Sequence, residues 1–205
     1  MHDQASLNAA LDALAARDAD VAAGLAQVGY PAPRVKDHGF QPLIEAVVSQ
    51  QISKEAAAAI NARVLALMDG AATPEALLAL DPEALRAAGL SRPKVGYCRG
   101  VAEAVLDGRL RLDALPGLPD EEVIAAISAL KGFGRWSAEV YAMFALRRPD
   151  VFPADDLALQ EALRRLKRLD ARPTGKAARA LVEAWSPYRS AGSVFLWRYY
   201  RGAPQ

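Results

Sequence analysis

Gly132 and Gly134 flank Phe133 in the stretch LKGFGRW, and a short distance along the chain the sequence FPADDLALQ carries Asp155 and Asp156. Glycines permit positive φ and close backbone approach, and a helix opening directly after them offers unpaired N–H groups at the positive end of its dipole. That geometry can hold one phosphate without touching a base. A carboxylate nearby does different work: it stabilises a developing positive charge or directs a water at an electrophilic carbon. Each motif also has a plainer reading. The glycines would suit a tight turn between packed helices, and the aspartates a capped helix start. Three tryptophans, Trp136, Trp185 and Trp197, add electron-rich faces that attract cations or simply fill a core. For Trp185 we prefer the core.

The elements that must position these residues are helical by their spacing. Leu7, Leu11, Leu14, Val21 and Leu25 predict one amphipathic helix over 5–27. Phe40, Leu43, Ile44, Val47 and Val48 begin a second apolar stripe, and a third follows Ser53, so two helices meet at a polar joint spanning Ser49 to Ser53. TPEALLAL and DPEALRAAG each open with a capping residue followed by Pro, and the second closes on Gly89. The next helix takes Ser91 as its cap and Gly108 as its stop. LPDEEVIAAISAL and GRWSAEVYAMFAL then place a helix on each side of the glycine turn, forming a helical hairpin. LALQEALRRLKRL, TGKAARALVEAW and PYRSAGSVFLWRYYR supply three more.

A chain of 205 residues rich in Ala and Leu can bury its own core, and the bias favours an all-α fold in two helical lobes. The expected lobes are 36–115, and 1–35 with 116–205, enclosing a cleft. Cys98 is the single cysteine, which excludes an intramolecular disulfide and an iron–sulfur cluster held by four thiolates. His2 and His38 lack partners at metal-ligand spacing, so no catalytic zinc is expected. The N-terminus reads MHDQASLNAA, and no apolar run approaches a membrane span, so a cytoplasmic protein is expected. Net charge is +1, but it is unevenly placed. Residues 1–130 carry 11 Lys/Arg against 17 Asp/Glu, net −6, and residues 131–205 carry 14 against 7, net +7. A basic half fits a polyanionic partner and fits a solvated helix face equally well.

From Phe40 to Arg198 the chain resembles the helix-hairpin-helix DNA glycosylases, in particular the 3-methyladenine DNA glycosylase II branch in its compact form. The resemblance rests on three stretches in order: FQPLIEAVVSQQIS, LKGFGRWSAEVYAMFAL followed by DVFPADDLALQ, and WSPYRSAGSVFLWR. It implies a monofunctional enzyme of base excision repair. Such an enzyme flips alkylated purines out of double-stranded DNA and hydrolyses the N-glycosidic bond, acting as a monomer associated with the nucleoid. Asp156 aligns with the catalytic carboxylate, and Asp155 is then expected as the N-cap of the next helix. Trp136 stands where relatives that also cut the backbone carry a Schiff-base lysine, and Lys131 does not occupy that place. Trp136 and Trp197 align with aromatic pocket walls. Val140 replaces a pocket tyrosine of some relatives, with Tyr141 about 100° further round the helix.

The same resemblance places Gln51 as the residue entering the DNA stack, with Gln50 and Ser53 shaping its loop. The amides near Gly132, Gly134 and Trp136 would hold a phosphate, with Arg135, Arg189 and Lys94 as further phosphate contacts. Backbone carbonyls of Ser128, Leu130 and Phe133 would hold a structural Na+ or K+, and no cofactor is implied for catalysis. Two alternatives remain at this level: a bifunctional glycosylase/lyase, which would need an amine nucleophile, and a non-catalytic hairpin module, which would need neither Asp156 nor the paired tryptophans.

Overall fold

The computed structural model describes residues 3–202, and among them every regular element is helical. Twelve α-helices follow in order: α1 Gln4–Ala15, α2 Ala19–Val28, α3 Phe40–Val48, α4 Lys54–Ala66, α5 Pro74–Ala79, α6 Pro82–Ala87, α7 Arg92–Leu106, α8 Asp120–Ser128, α9 Arg135–Phe144, α10 Leu157–Leu166, α11 Gly175–Leu181 and α12 Arg189–Gly202. Short 3-10 turns lie at Leu115–Gly117 and Glu183–Trp185. None of these helices is long and apolar enough to cross a membrane.

Local chemistry accounts for most boundaries. Thr73 and Asp81 accept N–H bonds from Ala76 and Glu83, each with a proline at the first helical position, as their sequences predict. Gly89 and Gly108 adopt φ of +112° and +78°, which ends α6 and α7. Ser91 occupies the cap position of α7, although its side chain makes no capping bond. The expected single helix over 5–27 is instead two. The carboxylate of Asp18 accepts from Asp20 N and Val21 N and starts α2 anew. A side chain that bonds its own neighbouring amides competes with helix continuation, and here the competition is decided by tertiary partners. Lys167 Nζ lies 2.7 Å from both carboxylate oxygens of Asp18, and Trp185 Nε1 donates to Oδ2 at 2.7 Å.

The chain forms two compact units, one comprising Lys36–Tyr141 and the other Met1–Val35 with Ala142–Gln205. The boundary falls within α9. In the 36–141 unit, α7 packs against α3, α5 and α6, burying Leu43, Val47, Leu77, Leu85, Cys98 and Val101. Burial also pushes the Cys98 thiol up to about 12, so it is an inert core group. In the other unit α12 packs against α1, α2 and α10 around Leu7, Leu11, Leu14, Leu163 and Phe195. Trp185 is buried there as expected. A Cβ at Gly192 would meet its ring at 2.5 Å, so only glycine admits α12 so close to it.

Candidate active site

The candidate residues fall into two sets, one on each unit. On the 36–141 unit, α8 and α9 are joined by the turn at 129–134. Phe133 N donates to the carbonyl of Leu130 at 3.0 Å, and the Phe133 ring is buried as the turn's anchor. Gly132 has φ +92°, and an added Cβ would meet the Tyr97 ring at 2.5 Å. This position requires glycine on both counts. Gly134 and Lys131 are exposed, and Trp136, in the first turn of α9, keeps 42% of its surface open. Arg135 pairs with Glu121 at 2.7 Å and with the buried Glu139 at 2.9 Å, so part of its guanidinium serves the hairpin itself. The hydroxyl of Ser128 is buried with no hydrogen-bond partner at the end of α8.

The joint between α3 and α4 belongs to the same unit. Gln51 has φ +57°, and both Gln51 and Ile52 are exposed at its tip. Gln50 turns inward, and its Nε2 donates to the carbonyl of Gly132 at 2.8 Å. Ser53 caps α4 by accepting from Ala56 N. Lys94, expected among the phosphate contacts, instead donates to the carbonyls of Val48 and Gln50 at 2.7 Å each. Its pull toward the protein follows from the unpaired carbonyls that end α3.

Val140 is half-buried and Tyr141 is buried. His38 links Tyr141 to a second segment: Nε2 lies 2.8 Å from the Leu112 carbonyl and Nδ1 lies 2.8 Å from the Tyr141 hydroxyl. A carbonyl only accepts, so Nε2 carries a proton, and the single proton of the Tyr141 hydroxyl has two acceptors in reach, Nδ1 and the Gly39 carbonyl 3.2 Å away. Gly39 N donates to the same hydroxyl at 3.2 Å. Burial pushes the Tyr141 hydroxyl up to about 12. Nothing in the spacing of His38 signals this role, because its partners lie far along the chain.

On the other unit, Asp156 is the N-cap of α10, and its Oδ1 accepts from Ala158 N at 2.9 Å and Leu159 N at 3.0 Å. Asp155, expected as that cap, lies one residue outside it and sets its carboxylate against Gly175. The mount is fixed from several sides. Asp156 N donates to Pro153 O at 3.0 Å, the buried Gln160 donates to Ala154 O at 2.8 Å, and Arg179 donates to Phe152 O at 3.1 Å. Arg189, another expected phosphate contact, makes a two-point ion pair with Asp150 at 2.8 and 2.7 Å. Leu157, directly after Asp156, is 61% exposed, an unusual position for leucine. Trp197 of α12 is half-buried. Its ring lies 5.8 Å from that of Phe144, and the Arg34 guanidinium carbon stands 5.6 Å over its centroid. The Trp197 face therefore already receives a cation within its own unit.

Two helices around a glycine turn, an aspartate capping the helix that follows them, and an all-helical frame define the class. A family model described as HhH-GPD superfamily base excision DNA repair protein matches residues 44–187, and the chain belongs to that superfamily. Among its relatives is DNA-3-methyladenine glycosylase 1 of Schizosaccharomyces pombe, 36% identical over 166 residues, which span 80% of this chain and 73% of that protein. The structure of a DNA-3-methyladenine glycosidase from Bacillus halodurans superposes with a TM-score of 0.83 at 36% identity, covering 92% of this chain and 87% of the other. The S. pombe 3-methyladenine DNA glycosylase in complex with abasic DNA superposes with a TM-score of 0.82 at 34% identity, covering 92% and 95%.

Proposed function

We propose that this chain is a monofunctional DNA glycosylase that removes alkylated purines such as 3-methyladenine and 7-methylguanine from duplex DNA. The observation that carries this reading is Asp156. It stands on a backbone fixed by Pro153, Gln160 and Arg179, in a chain whose relatives are 3-methyladenine glycosylases and whose hairpin turn is built on an obligatory glycine.

The chemistry follows from the leaving group. A purine alkylated at N3 or N7 is already cationic, so it departs as a neutral base and takes the N-glycosidic electron pair with it. Deoxyribose is left as an oxocarbenium ion, which the Asp156 carboxylate stabilises. Water then adds at C1′ and gives up a proton, leaving an abasic site and the free base. No dedicated acid is needed to protonate the leaving base. Trp136 offers no amine where a lyase would form its Schiff base, which supports hydrolysis without strand cleavage. On the 36–141 unit the exposed face of Trp136, and on the other unit that of Trp197, would each favour a cationic purine over a neutral one.

The turn at Gly132–Gly134 and the amides opening α9 would hold a backbone phosphate, and Gln51 would fill the stack vacated by the flipped base. The carbonyls of Ser128, Leu130 and Phe133 suit a structural Na+ or K+. They are hard neutral oxygens, and the buried Ser128 hydroxyl, on the first of these residues, has no hydrogen-bond partner. Such an ion would supply positive charge toward the phosphate. Incubating the protein with methylated DNA and separating the released bases tests the proposal. Release of 3-methyladenine and 7-methylguanine is expected, with strand breaks appearing only after alkali or heat. Breaks without that treatment would instead indicate a lyase.

A further inference from the structure

The loop tip carrying Gln51 and Ile52 is held by an unusual cation. The ammonium of Lys94 donates to two carbonyls at the end of α3, Val48 O and Gln50 O, both at 2.7 Å. Lys94 sits in the first turn of α7, where a positive charge is unfavourable to that helix's own dipole. The favourable pole it reaches is the carboxyl end of α3. From there it fixes the carbonyl of Gln50, directly before the residue that takes φ +57°. A non-glycine residue in that region costs about 1 kcal/mol or more and persists only where its surroundings enforce it.

Two further contacts tie the same helix to the hairpin. Gln50 Nε2 donates to Gly132 O, and the ring of Tyr97 closes over Gly132. Tyr97 lies three residues beyond Lys94, on the same side of α7. One helix therefore holds the tip through Lys94 and the phosphate turn through Tyr97, and Gln50 bridges the two. All of these residues belong to the 36–141 unit.

We propose that Lys94 is a positioning residue for base flipping: by closing the end of α3 it sets the Gln51–Ile52 tip in register with the hairpin, so that the tip enters the duplex when the turn holds a phosphate. This rests on the glycosylase reading. The register matters most when a paired, stacked base must be forced out, and least when the lesion has already lost its stacking and pairing.

The test compares excision of one alkylated purine from a fully paired duplex and from the same sequence with an unpaired bubble around the lesion. Lys94→Met keeps the methylene stem and removes the donor. Its excision rate should fall about tenfold or more on the paired duplex and less than about threefold on the bubble. 2-Aminopurine beside the lesion should brighten more slowly with the variant on the paired duplex. Gln50→Ala keeps the Lys94 bonds but removes the bridge to Gly132, and it should show the same substrate-dependent pattern to a smaller degree. It also serves as the test if Lys94→Met does not fold. Equal losses on both substrates, or no loss on the paired duplex, would overturn the proposal while leaving the glycosylase reading intact. No excision of either substrate by the wild-type protein would instead remove the reading on which it rests.

Discussion

Asp156 caps α10 and, on the proposed reading, also stabilises the sugar cation, and substitutions separate the two. Asparagine caps a helix about as well as aspartate, and alanine does not. Asp156→Asn should therefore keep unfolding stability within about 0.5 kcal/mol of wild type, whereas Asp156→Ala should lose about 1 kcal/mol, both measurable by urea titration. Removing a negative charge near phosphates should leave DNA affinity equal or tighter in a binding titration, and markedly weaker binding by Asp156→Asn would count against the assigned role. At Trp197, replacement by leucine should lower kcat/KM for a cationic purine about 2- to 30-fold, with a smaller loss for neutral hypoxanthine, as expected for a lost cation–π contact of about 0.5–2 kcal/mol. That an aspartate opens α10 was legible from the motif. Which of two adjacent aspartates caps α10 was not, because that depends on the turn closed by Asp156 N on Pro153 O. The engagement of Arg34 with Trp197 was equally hidden, since it joins segments distant in sequence.

Helices were the most legible elements, because their signals are local: Pro at the first position after Thr73 and Asp81, positive-φ glycine at Gly89 and Gly108, and an apolar stripe at helical spacing in α3. The break between α1 and α2 was not legible. It depends on Lys167 and Trp185 meeting Asp18, and an apolar stripe carries no trace of that meeting. The partners of Lys94 and Arg189 within the protein were hidden for the same reason. A basic residue suits a phosphate or a carbonyl equally well until its neighbours are known. For the hairpin element the expected outcome is specific. Gly132→Ala meets both a disfavoured φ and the Tyr97 ring, so it should lower stability by about 1–3 kcal/mol and weaken DNA binding. Thermal unfolding and a binding titration on the same preparation check both effects.

At the scale of the whole molecule, charge is partly structural. The unit 1–35 with 142–205 carries 14 Lys/Arg against 10 Asp/Glu, net +4, and the unit 36–141 carries 11 against 14, net −3. The basic half of the sequence is thus shared between units, and several of its cations have carboxylate partners. Asp18 and Lys167 show the consequence for pH. Burial alone would raise Asp18, but its bonds from Lys167 and Trp185 outweigh burial and hold it below its ordinary 3.8. Burial would lower Lys167, but its bonds to Asp18 and Asp20 outweigh that and hold it above 10.5. A lowered acid contributes stability that is present above its unfolded value and lost as pH falls through the folded one. A raised amine contributes stability below its unfolded value and loses it as pH climbs through the folded one. The pair should contribute fully from about pH 5 to pH 9. Asp18→Asn should cost about 1–3 kcal/mol at pH 7, and its deficit should shrink as pH falls below the ordinary aspartate value of 3.8 in urea unfolding series. What the folded chain does to DNA is measured by base release from methylated duplex by wild type and Asp156→Asn under single-turnover conditions. Wild type should liberate 3-methyladenine and 7-methylguanine, and the variant, folded and bound to the same DNA, should do so at least about 100-fold more slowly. No release by wild type would contradict the enzyme, and full activity in the variant would contradict the role of Asp156.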